Sequence, residues 1–142
     1  MIFAILIGRA GSRGLPGKNT SKILGRRLCE YPLIAASKSK YIEKIFVSTD
    51  CSKIKKVSKK YNVDFVVRPK RLSNSKALGD HVFEYTYKEI KKKLKIKSKK
   101  IKYVILLFAN APLVTAQMID NGIKFLEKNK KFDSAVSTSI YN

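Results

Sequence analysis

A short apolar segment, residues 2–7, ends abruptly at Gly8 and is followed by a loop rich in glycine and positive charge. Glycine recurs in this loop at every third position: Gly8, Gly11, Gly14 and Gly17. Three cations lie among the glycines: Arg9, Arg13 and Lys18. The apolar run is typical of a buried strand, and open α/β sheets bind ligands at the carboxyl ends of their strands. Because glycine lets backbone N–H groups approach a ligand and cations neutralise its charge, the pattern predicts a phosphate-binding loop.

The loop differs from two common glycine-rich phosphate loops. In the GxxxxGK[ST] pattern, Ser12 stands where the first glycine is required and Asn19 where Ser or Thr is required. The GxGxxG pattern is excluded because no two of these glycines are spaced by two. A glycine-rich surface turn with solvated charges is the simpler alternative, but the preceding strand and the cations favour phosphate binding.

Composition points to one globular domain over residues 1–142. Hydrophobic residues make up 44% of the chain and none of them forms a long apolar run, so a soluble protein is expected. Residues 2–7 are too short to span a membrane and lack the pattern of a signal peptide, so we expect a cytoplasmic location without a membrane partner. The two cysteines form no CxxC pair and His81 is the one histidine, so a zinc site is not expected.

The formal net charge of +21 raises nucleic-acid binding as a rival function. The excess is mostly lysine, spread over predicted helix faces and over residues 88–102. Surfaces rich in arginine or interleaved with aromatic residues, which read or stack bases, are not evident. Lysine as a generic solvated surface residue explains the charge better, and a nucleic-acid partner is not expected.

Predicted strands and helices alternate along the chain. We predict strands at 2–7, 45–48, 63–67 and 103–108, and a fifth strand that begins at 135–139. We predict four helices, the first of which begins near Pro32. The other three begin at predicted N-caps: Asp50 or Ser52, Asp80, and Thr115. This alternation predicts an α/β fold, a three-layer Rossmann-like arrangement with a mostly parallel sheet. Because a parallel sheet normally continues beyond such a point, we expect an incomplete copy, or a minimal version, of a longer enzyme.

Four motifs resemble those of the CMP-sialic acid synthetases, the acylneuraminate cytidylyltransferases. The first is Gly8-Arg9-x-x-Ser12-Arg13-Gly14-Leu15-Pro16-x-Lys18-Asn19, similar to the family's A-R-x-x-S-K-G-[LI]-P-x-K-N. The others are V-S-T-D at 47–50, V-R-P-x-x-L at 67–72 and L-L-x-x-x-x-P-L-x-T at 106–115. Their order and spacing agree over essentially the whole chain, so the resemblance implies a cytidylyltransferase-like nucleotide-binding domain that lacks the C-terminal part of the family's fold.

The family transfers CMP from CTP to a nine-carbon keto-sugar acid and releases pyrophosphate, with Mg²⁺ as cofactor. The resemblance therefore implies a nucleotidyltransferase of nucleotide-sugar and polysaccharide biosynthesis. It implies that Arg9, Arg13 and Lys18 hold the triphosphate and stabilise charge in the transition state, with Arg9 at the α-phosphate. It also implies a set of nucleotide contacts: Gly8, Gly11, Ser12, Gly14, Asn19, Arg68, Ala77 and Gly79.

The sugar side departs from the family pattern. Phe108 replaces a Gln that in the family faces the sugar acid, and Val114 replaces an Arg. We expect Phe108 and Asn110 to line the sugar site, where a legionaminate-like or pseudaminate-like acid is as plausible as sialic acid. On the nucleotide side, Arg13 replaces the usual Lys, which keeps the charge but changes its geometry.

The resemblance leaves the metal ligands and the oligomeric state open. The family's metal-binding aspartates and its dimerisation segment are expected beyond residue 142. Asp50, beside a strand end, is the candidate for Mg²⁺ within the chain, and a helix N-cap is its alternative role. His81 could act as a base, but we favour a solvated or half-packed side chain. The two cysteines could act as nucleophiles, but we favour inert thiols.

Three other functions remain open from the sequence. One is a non-catalytic nucleotide-binding fragment. Another is a related sugar nucleotidyltransferase that uses Kdo or a sugar phosphate. The third is a basic nucleic-acid-binding protein.

Overall fold

A computed structural model of the protein describes residues 1–11, 14–73, 77–95 and 100–138. The strands in this part of the chain are β1 (Ile2–Gly8), β2 (Lys22–Ile23), β3 (Arg26–Arg27), β4 (Lys44–Thr49), β5 (Asp64–Val67) and β6 (Tyr103–Phe108). The α-helices are α1 (Glu30–Lys38), α2 (Ser52–Ser58), α3 (Gly79–Leu94) and α4 (Ala116–Lys128). Short 3₁₀ turns lie at Lys18–Thr20, Lys59–Tyr61 and Lys70–Leu72.

Four strands form a sheet in the order β5-β4-β1-β6, and all the neighbouring pairs are parallel. Strand β1 lies in the interior of the sheet and each of its residues is buried. Its unbroken apolar sequence follows from this position, because a parallel strand covered on both faces has no side exposed to water. The carboxyl ends of the four strands therefore meet at one edge, which is where the Gly8 loop begins.

Helices cover both faces of the sheet. On one face, apolar side chains of α1, α2 and α4 pack on alternate residues of β1 and β4 such as Leu6 and Val47. On the other face, α3 packs through Val82 and Ile90 on the intervening residues, including Ile5. The result is the predicted three-layer α/β fold with a parallel sheet, and the fold class is confirmed.

The boundaries of the predicted elements agree with the structure, except near the carboxyl end. Strand β6 has the predicted limits, and β1, β4 and β5 begin or end within one residue of them. The fifth strand predicted at 135–139 is not formed in its described part, because residues 135–138 are exposed and pair with no strand. Residue 139 lies outside the described residues.

The N-cap predictions gave mixed results. The Thr115 hydroxyl oxygen accepts a hydrogen bond from the Met118 amide at 3.1 Å, so Thr115 caps α4 as predicted. Helix α3 begins one residue before Asp80, with Leu78 at the cap position and no side-chain cap. Helix α2 has Cys51 at its cap position and also no side-chain cap, so neither Asp50 nor Ser52 caps it.

A small hairpin follows the glycine-rich loop. We predict a turn at residues 24–27, and the structure places the turn at Leu24 and Gly25 while Arg26 begins β3. Both turn residues have positive φ, at 48° and 80°, as a two-residue hairpin turn of this hand requires. Within the described residues, no helix is both long enough and apolar enough to cross a membrane.

Candidate functional site

A pocket of about 410 Å³ lies at the carboxyl edge of the sheet. Its volume falls within the range of roughly 300–1,000 Å³ that is usual for small-molecule sites. Three parts of the chain far apart in sequence form it: the loop after β1, the segment from the end of β5 to α3, and the end of β6. The lining residues are Ile7, Gly8, Arg9, Gly14, Lys18, Asn19, Arg68, Ala77, Gly79, Val82, Phe108 and Asn110.

Most of the candidate site residues named from the sequence line this one pocket. Among the residues predicted to bind the nucleotide, the sugar or a metal, the exceptions within the described ranges are Gly11, which is exposed and does not line it, and Asp50, which lies beside the loop. Ser12 and Arg13 lie outside the described residues. The structure adds Ile7 and Val82, two apolar side chains that sequence patterns assign to the core and that no sequence signal marks as pocket walls.

Gly8 is required by packing at the start of the loop. A Cβ atom at this position would lie 2.6 Å from the Cβ of Ala109 and 3.1 Å from the Cδ1 of Ile54. Ala109 follows β6 and its amide donates a hydrogen bond to the Ile7 carbonyl, so the ends of β1 and β6 are held together here. The sequence suggests that Gly8 makes room for a ligand, but the close approach observed is to the protein's own residues.

Asn19 holds the far end of the loop against its beginning. Its side chain is buried, and Nδ2 donates a hydrogen bond to the Arg9 carbonyl at 3.1 Å. Its own carbonyl accepts a hydrogen bond from the Cys29 amide at the start of α1. Asn19 therefore closes the loop on itself, in addition to lining the pocket.

Glu30 fixes the hairpin that follows the loop. Its two carboxylate oxygens accept hydrogen bonds from the Arg27 amide and from the Tyr61 hydroxyl, both at 2.8 Å. Burial by itself raises the pKa of Glu30, but these two bonds and the nearby cations outweigh it and hold the pKa below its ordinary value of 4.5. No motif in the sequence marks this carboxylate as the group that joins the hairpin to Tyr61, which lies 31 residues further along the chain.

Three cations described by the structure line the pocket: Arg9, Lys18 and Arg68. Arg68 is half-buried, and its Nε donates a hydrogen bond to the Leu72 carbonyl at 2.6 Å. Burial lowers the pKa of Arg68; Asp50 opposes this shift and the positive charge of Arg9 adds to it. Because arginine keeps its proton at neutral pH even so, the pocket retains these positive charges and suits an anionic ligand.

Asp50 is bonded to the loop. Its Oδ1 accepts a hydrogen bond from the Ala10 amide at 3.0 Å. Mg²⁺ needs several oxygen ligands, usually carboxylates together with substrate phosphates. No acidic residue lines the pocket in the described ranges, and no group of three or more His, Cys, Asp or Glu in them could hold a metal ion. The described residues therefore do not by themselves fit a Mg²⁺ site.

Phe108 and Asn110 lie on the β6 side of the pocket. The Phe108 ring is 46% exposed and lies beside Gly79, where a Cβ would be 3.7 Å from the ring. With Ile7 and Val82 it gives this side of the pocket an apolar wall, opposite in character to the cationic loop. Val114, the other departure from the family pattern, packs against the core cluster under α1 and α4 and does not line the pocket.

The remaining candidates from the sequence do not belong to the pocket. His81 is exposed in the first turn of α3 and does not line it. Cys29 is fully buried, and burial raises the pKa of its thiol to about 11, so it is protonated and unreactive at neutral pH. Cys51 is half-exposed at the start of α2.

The fold and the pocket define an α/β protein with a cationic ligand site at the edge of a parallel sheet. The sequence matches the model of the family described as "Cytidylyltransferase" over residues 3–141. This chain belongs to the cytidylyltransferase family.

Two curated relatives match almost all of the chain. It is 30% identical over 141 residues to an N-acylneuraminate cytidylyltransferase of Escherichia coli, which covers 99% of this chain and 32% of the relative. It is 28% identical over 139 residues to a pseudaminic acid cytidylyltransferase of Campylobacter jejuni, covering 96% of this chain and 58% of the relative. The chain thus spans about a third to three-fifths of the length of these relatives.

Solved structures agree on the fold. A CMP:2-keto-3-deoxy-manno-octonic acid synthetase solved with CTP superposes with a TM-score of 0.69 at 16% identity, over 91% of this chain and 48% of that one. A cytidylyltransferase from Leptospira borgpetersenii gives a TM-score of 0.68 at 20% identity, over 91% and 50%. At these identities the likeness supports the fold alone.

Proposed function

We propose that this protein is a cytidylyltransferase that transfers CMP from CTP to a nine-carbon keto-sugar acid and releases pyrophosphate. The observation that carries the proposal is the pocket itself. A loop with Arg9 and Lys18, a third cation from Arg68, and the end of β6 line one cavity at the carboxyl edge of the sheet. Membership of the cytidylyltransferase family supports CTP as the ligand.

In the proposed reaction, a hydroxyl oxygen of the sugar acid attacks the α-phosphorus of CTP and gives up its proton to solvent. The bond from that phosphorus to the β-phosphate oxygen breaks, and pyrophosphate leaves with the electron pair. Negative charge grows on the phosphate oxygens, so the chain contributes by placing cations beside them. Arg9 is the first candidate for the α-phosphate and Lys18 for the outer phosphates. Arg13 belongs to the same group by its motif, although it lies outside the described residues.

The proposed division of the pocket follows its chemistry. The cationic loop and the segment with Arg68, Ala77 and Gly79 would bind the nucleotide. Phe108 and Asn110 would face the sugar acid. Relatives named for sialic, pseudaminic and N,N'-diacetyllegionaminic acid support this substrate class, and the particular acid is open among them. Mg²⁺ is proposed as the metal that accompanies CTP, and a related sugar nucleotidyltransferase activity on Kdo is compatible with the structural neighbours.

A second candidate is a nucleotide-binding unit that does not turn over alone. The observation that favours this candidate is that no acidic residue lines the pocket in the described ranges, so no carboxylate there would assist catalysis. Both candidates predict CTP binding, but only the transferase predicts turnover. One experiment can therefore separate them.

The test measures CTP binding by calorimetry and pyrophosphate release with Mg²⁺ and a panel of sialic, pseudaminic, legionaminic and Kdo acids. Arg9→Ala should weaken CTP binding at least about tenfold, since a charge-assisted contact of about 1.4 kcal/mol or more is lost. Arg26→Ala is the matched control, because Arg26 is exposed in the hairpin and does not line the pocket. It should bind CTP as the wild type does.

The outcomes separate the candidates. Turnover that needs CTP, one of the acids and Arg9 supports the transferase and names its substrate. CTP binding that depends on Arg9 without turnover supports the binding unit. Absence of CTP binding contradicts both, and tight duplex DNA binding that persists at physiological salt would favour a nucleic-acid function instead.

A further inference from the structure

Asp50 makes a contact that neither of its roles predicted from the sequence explains. It follows β4, and its Oδ1 accepts a hydrogen bond from the amide of Ala10, 40 residues earlier in the chain. It does not cap α2, whose cap position belongs to Cys51. The Cys51 amide is satisfied by the Thr49 hydroxyl at 3.0 Å, so the start of α2 uses another side chain.

With this contact, the backbone of three successive residues, Gly8, Arg9 and Ala10, is held in place by other parts of the chain. Gly8 is fixed because its Cα lies against Ala109. Arg9 is fixed because its carbonyl accepts a hydrogen bond from Asn19. Ala10 is fixed through its amide by Asp50, so the backbone on both sides of the Arg9 side chain is held.

A carboxylate at this place has an electrostatic cost. Asp50 is near enough to Arg68, which lines the pocket with Arg9, for its negative charge to raise the pKa of that guanidinium. A negative charge beside these cations weakens the positive field that attracts an anion. A residue here that served only as a surface group would work against the site, which suggests that the hydrogen bond is its contribution.

We propose that Asp50 is a positioning residue of the phosphate-binding loop: it holds the Ala10 amide and thereby directs Arg9 into the pocket. The proposal rests on the proposed function, since it takes the anion in the pocket to be the triphosphate of CTP. In this role, Asp50 acts on the loop through its Oδ1, which accepts the hydrogen bond from the Ala10 amide. Neither its charge nor a metal ion is required for this role.

The substitutions Asp50→Asn and Asp50→Ala separate the acceptor from the charge. Asparagine keeps an Oδ1 that can accept from the Ala10 amide, and alanine removes it. We expect Asp50→Ala to weaken binding of metal-free CTP, measured by calorimetry with a chelator present, by at least about fivefold, because an unorganised loop must be ordered on binding. Asp50→Asn should stay within about twofold of the wild type, or bind more tightly, because the opposing charge is gone.

The matched control is Asp64→Asn. Asp64 is the first residue of β5, at the opposite edge of the sheet, so the substitution makes the same change in net charge away from the pocket. It should leave CTP affinity unchanged. The thermal unfolding midpoints of both Asp50 variants should stay close to that of the wild type, because Asp50 is exposed. A purely structural role for Asp50 would instead lower the midpoint of Asp50→Ala.

Amide hydrogen exchange at Ala10, followed by NMR in the free protein, gives a readout that does not need CTP. Exchange should be faster in Asp50→Ala and near the wild-type rate in Asp50→Asn. Equal losses of affinity in both Asp50 variants would overturn the proposal in favour of a role for the carboxylate charge, and wild-type affinity in Asp50→Ala would overturn it outright. If wild-type protein failed to bind CTP, the proposed function would fall, and the Ala10 exchange rates would still decide whether Asp50 holds the loop.

Discussion

Glycine occurs both at the beginning of the glycine-rich loop and in its middle, but Gly8 and Gly14 have different surroundings. At the beginning, Gly8 is buried against Ala109, and the backbone of the next two residues is bonded to Asn19 and Asp50. In the middle, a Cβ added to Gly14 would meet nothing within 4 Å. Glycines three positions apart in one motif are therefore present for different reasons.

This difference in surroundings indicates that the two parts of the loop have different roles. The beginning is specified by contacts from β4, β6 and the 3₁₀ turn, so the Arg9 backbone is in place before a ligand arrives. At Gly11 and Gly14 an added Cβ would meet nothing within 4 Å, so the missing side chain leaves room for a ligand to approach the backbone. Pre-organisation of the Arg9 backbone would lower the entropic cost of binding, and the bare backbone at the two glycines would keep close approach possible.

The largest expected effect is that of Gly8→Ala on stability. The added Cβ would lie 2.6 Å from the Ala109 Cβ, and neither atom can move without shifting a strand end. We expect the free energy of unfolding to fall by about 2–3 kcal/mol, and Tm to fall by roughly 5–10 °C. Thermal unfolding followed by circular dichroism measures this.

Gly14→Ala is the control within the same motif. With open space around the position, it should change the free energy of unfolding by less than about 0.5 kcal/mol. Equal destabilisation by the two substitutions would remove the distinction between the beginning and the middle of the loop.

A smaller effect is expected from Asn19→Ala. The substitution removes the hydrogen bond to the Arg9 carbonyl from a buried position, at a cost of about 1 kcal/mol in stability, and it should also weaken CTP binding. Asn129→Ala removes the same kind of bond, from Nδ2 to the Phe125 carbonyl, at the exposed end of α4. Urea unfolding and CTP calorimetry on the pair should show a CTP effect for Asn19 alone; an equal effect for Asn129 would contradict the role given to Asn19.

The smallest effect concerns the hairpin beyond the loop and appears as a pH dependence. Because the pKa of Glu30 is lowered in the folded protein, its contribution to stability is present above its ordinary pKa of 4.5 and is lost as pH falls through the folded value. Glu30→Gln should therefore be less stable than the wild type near neutral pH, and the gap should narrow below about pH 4.5. Urea unfolding between about pH 7 and about pH 3 measures the gap, and a gap independent of pH would show that the ionised carboxylate contributes nothing.

Local patterns predicted most of the framework. Apolar runs predicted β1, β4, β5 and β6 with nearly correct limits, and the run is unbroken in β1, the strand that is buried throughout. The Thr115 cap followed from a local rule, because the cap and the amide it accepts from are three residues apart. The strand predicted at 135–139 was wrong at residues 135–138, because a segment of strand-like sequence becomes a strand only where it pairs with another strand.

Asp50 shows where such reasoning stops. The rule for helix caps applies to it as well as to Thr115, but its carboxylate found a partner 40 residues away. The sequence likewise did not predict that Ile7 and Val82 line the pocket, because an apolar pattern does not reveal which core side chain borders a cavity.

The sequence by itself determined the order of strands and helices, the cationic glycine-rich loop and the residues that gather at the carboxyl edge of the sheet. Periodicity and motif spacing are local properties, and parallel strands bring their carboxyl ends together wherever they pair. Only the tertiary structure decided that Gly8 serves packing, that Asn19 and Asp50 hold the loop, and that Glu30 fixes the hairpin. Gly8, Asp50 and Glu30 meet Ala109, Ala10 and Tyr61, which are remote in the chain, so these contacts form only when the sheet and its helices are assembled. The bond from Asn19 to the Arg9 carbonyl forms only when the loop between them folds back on itself.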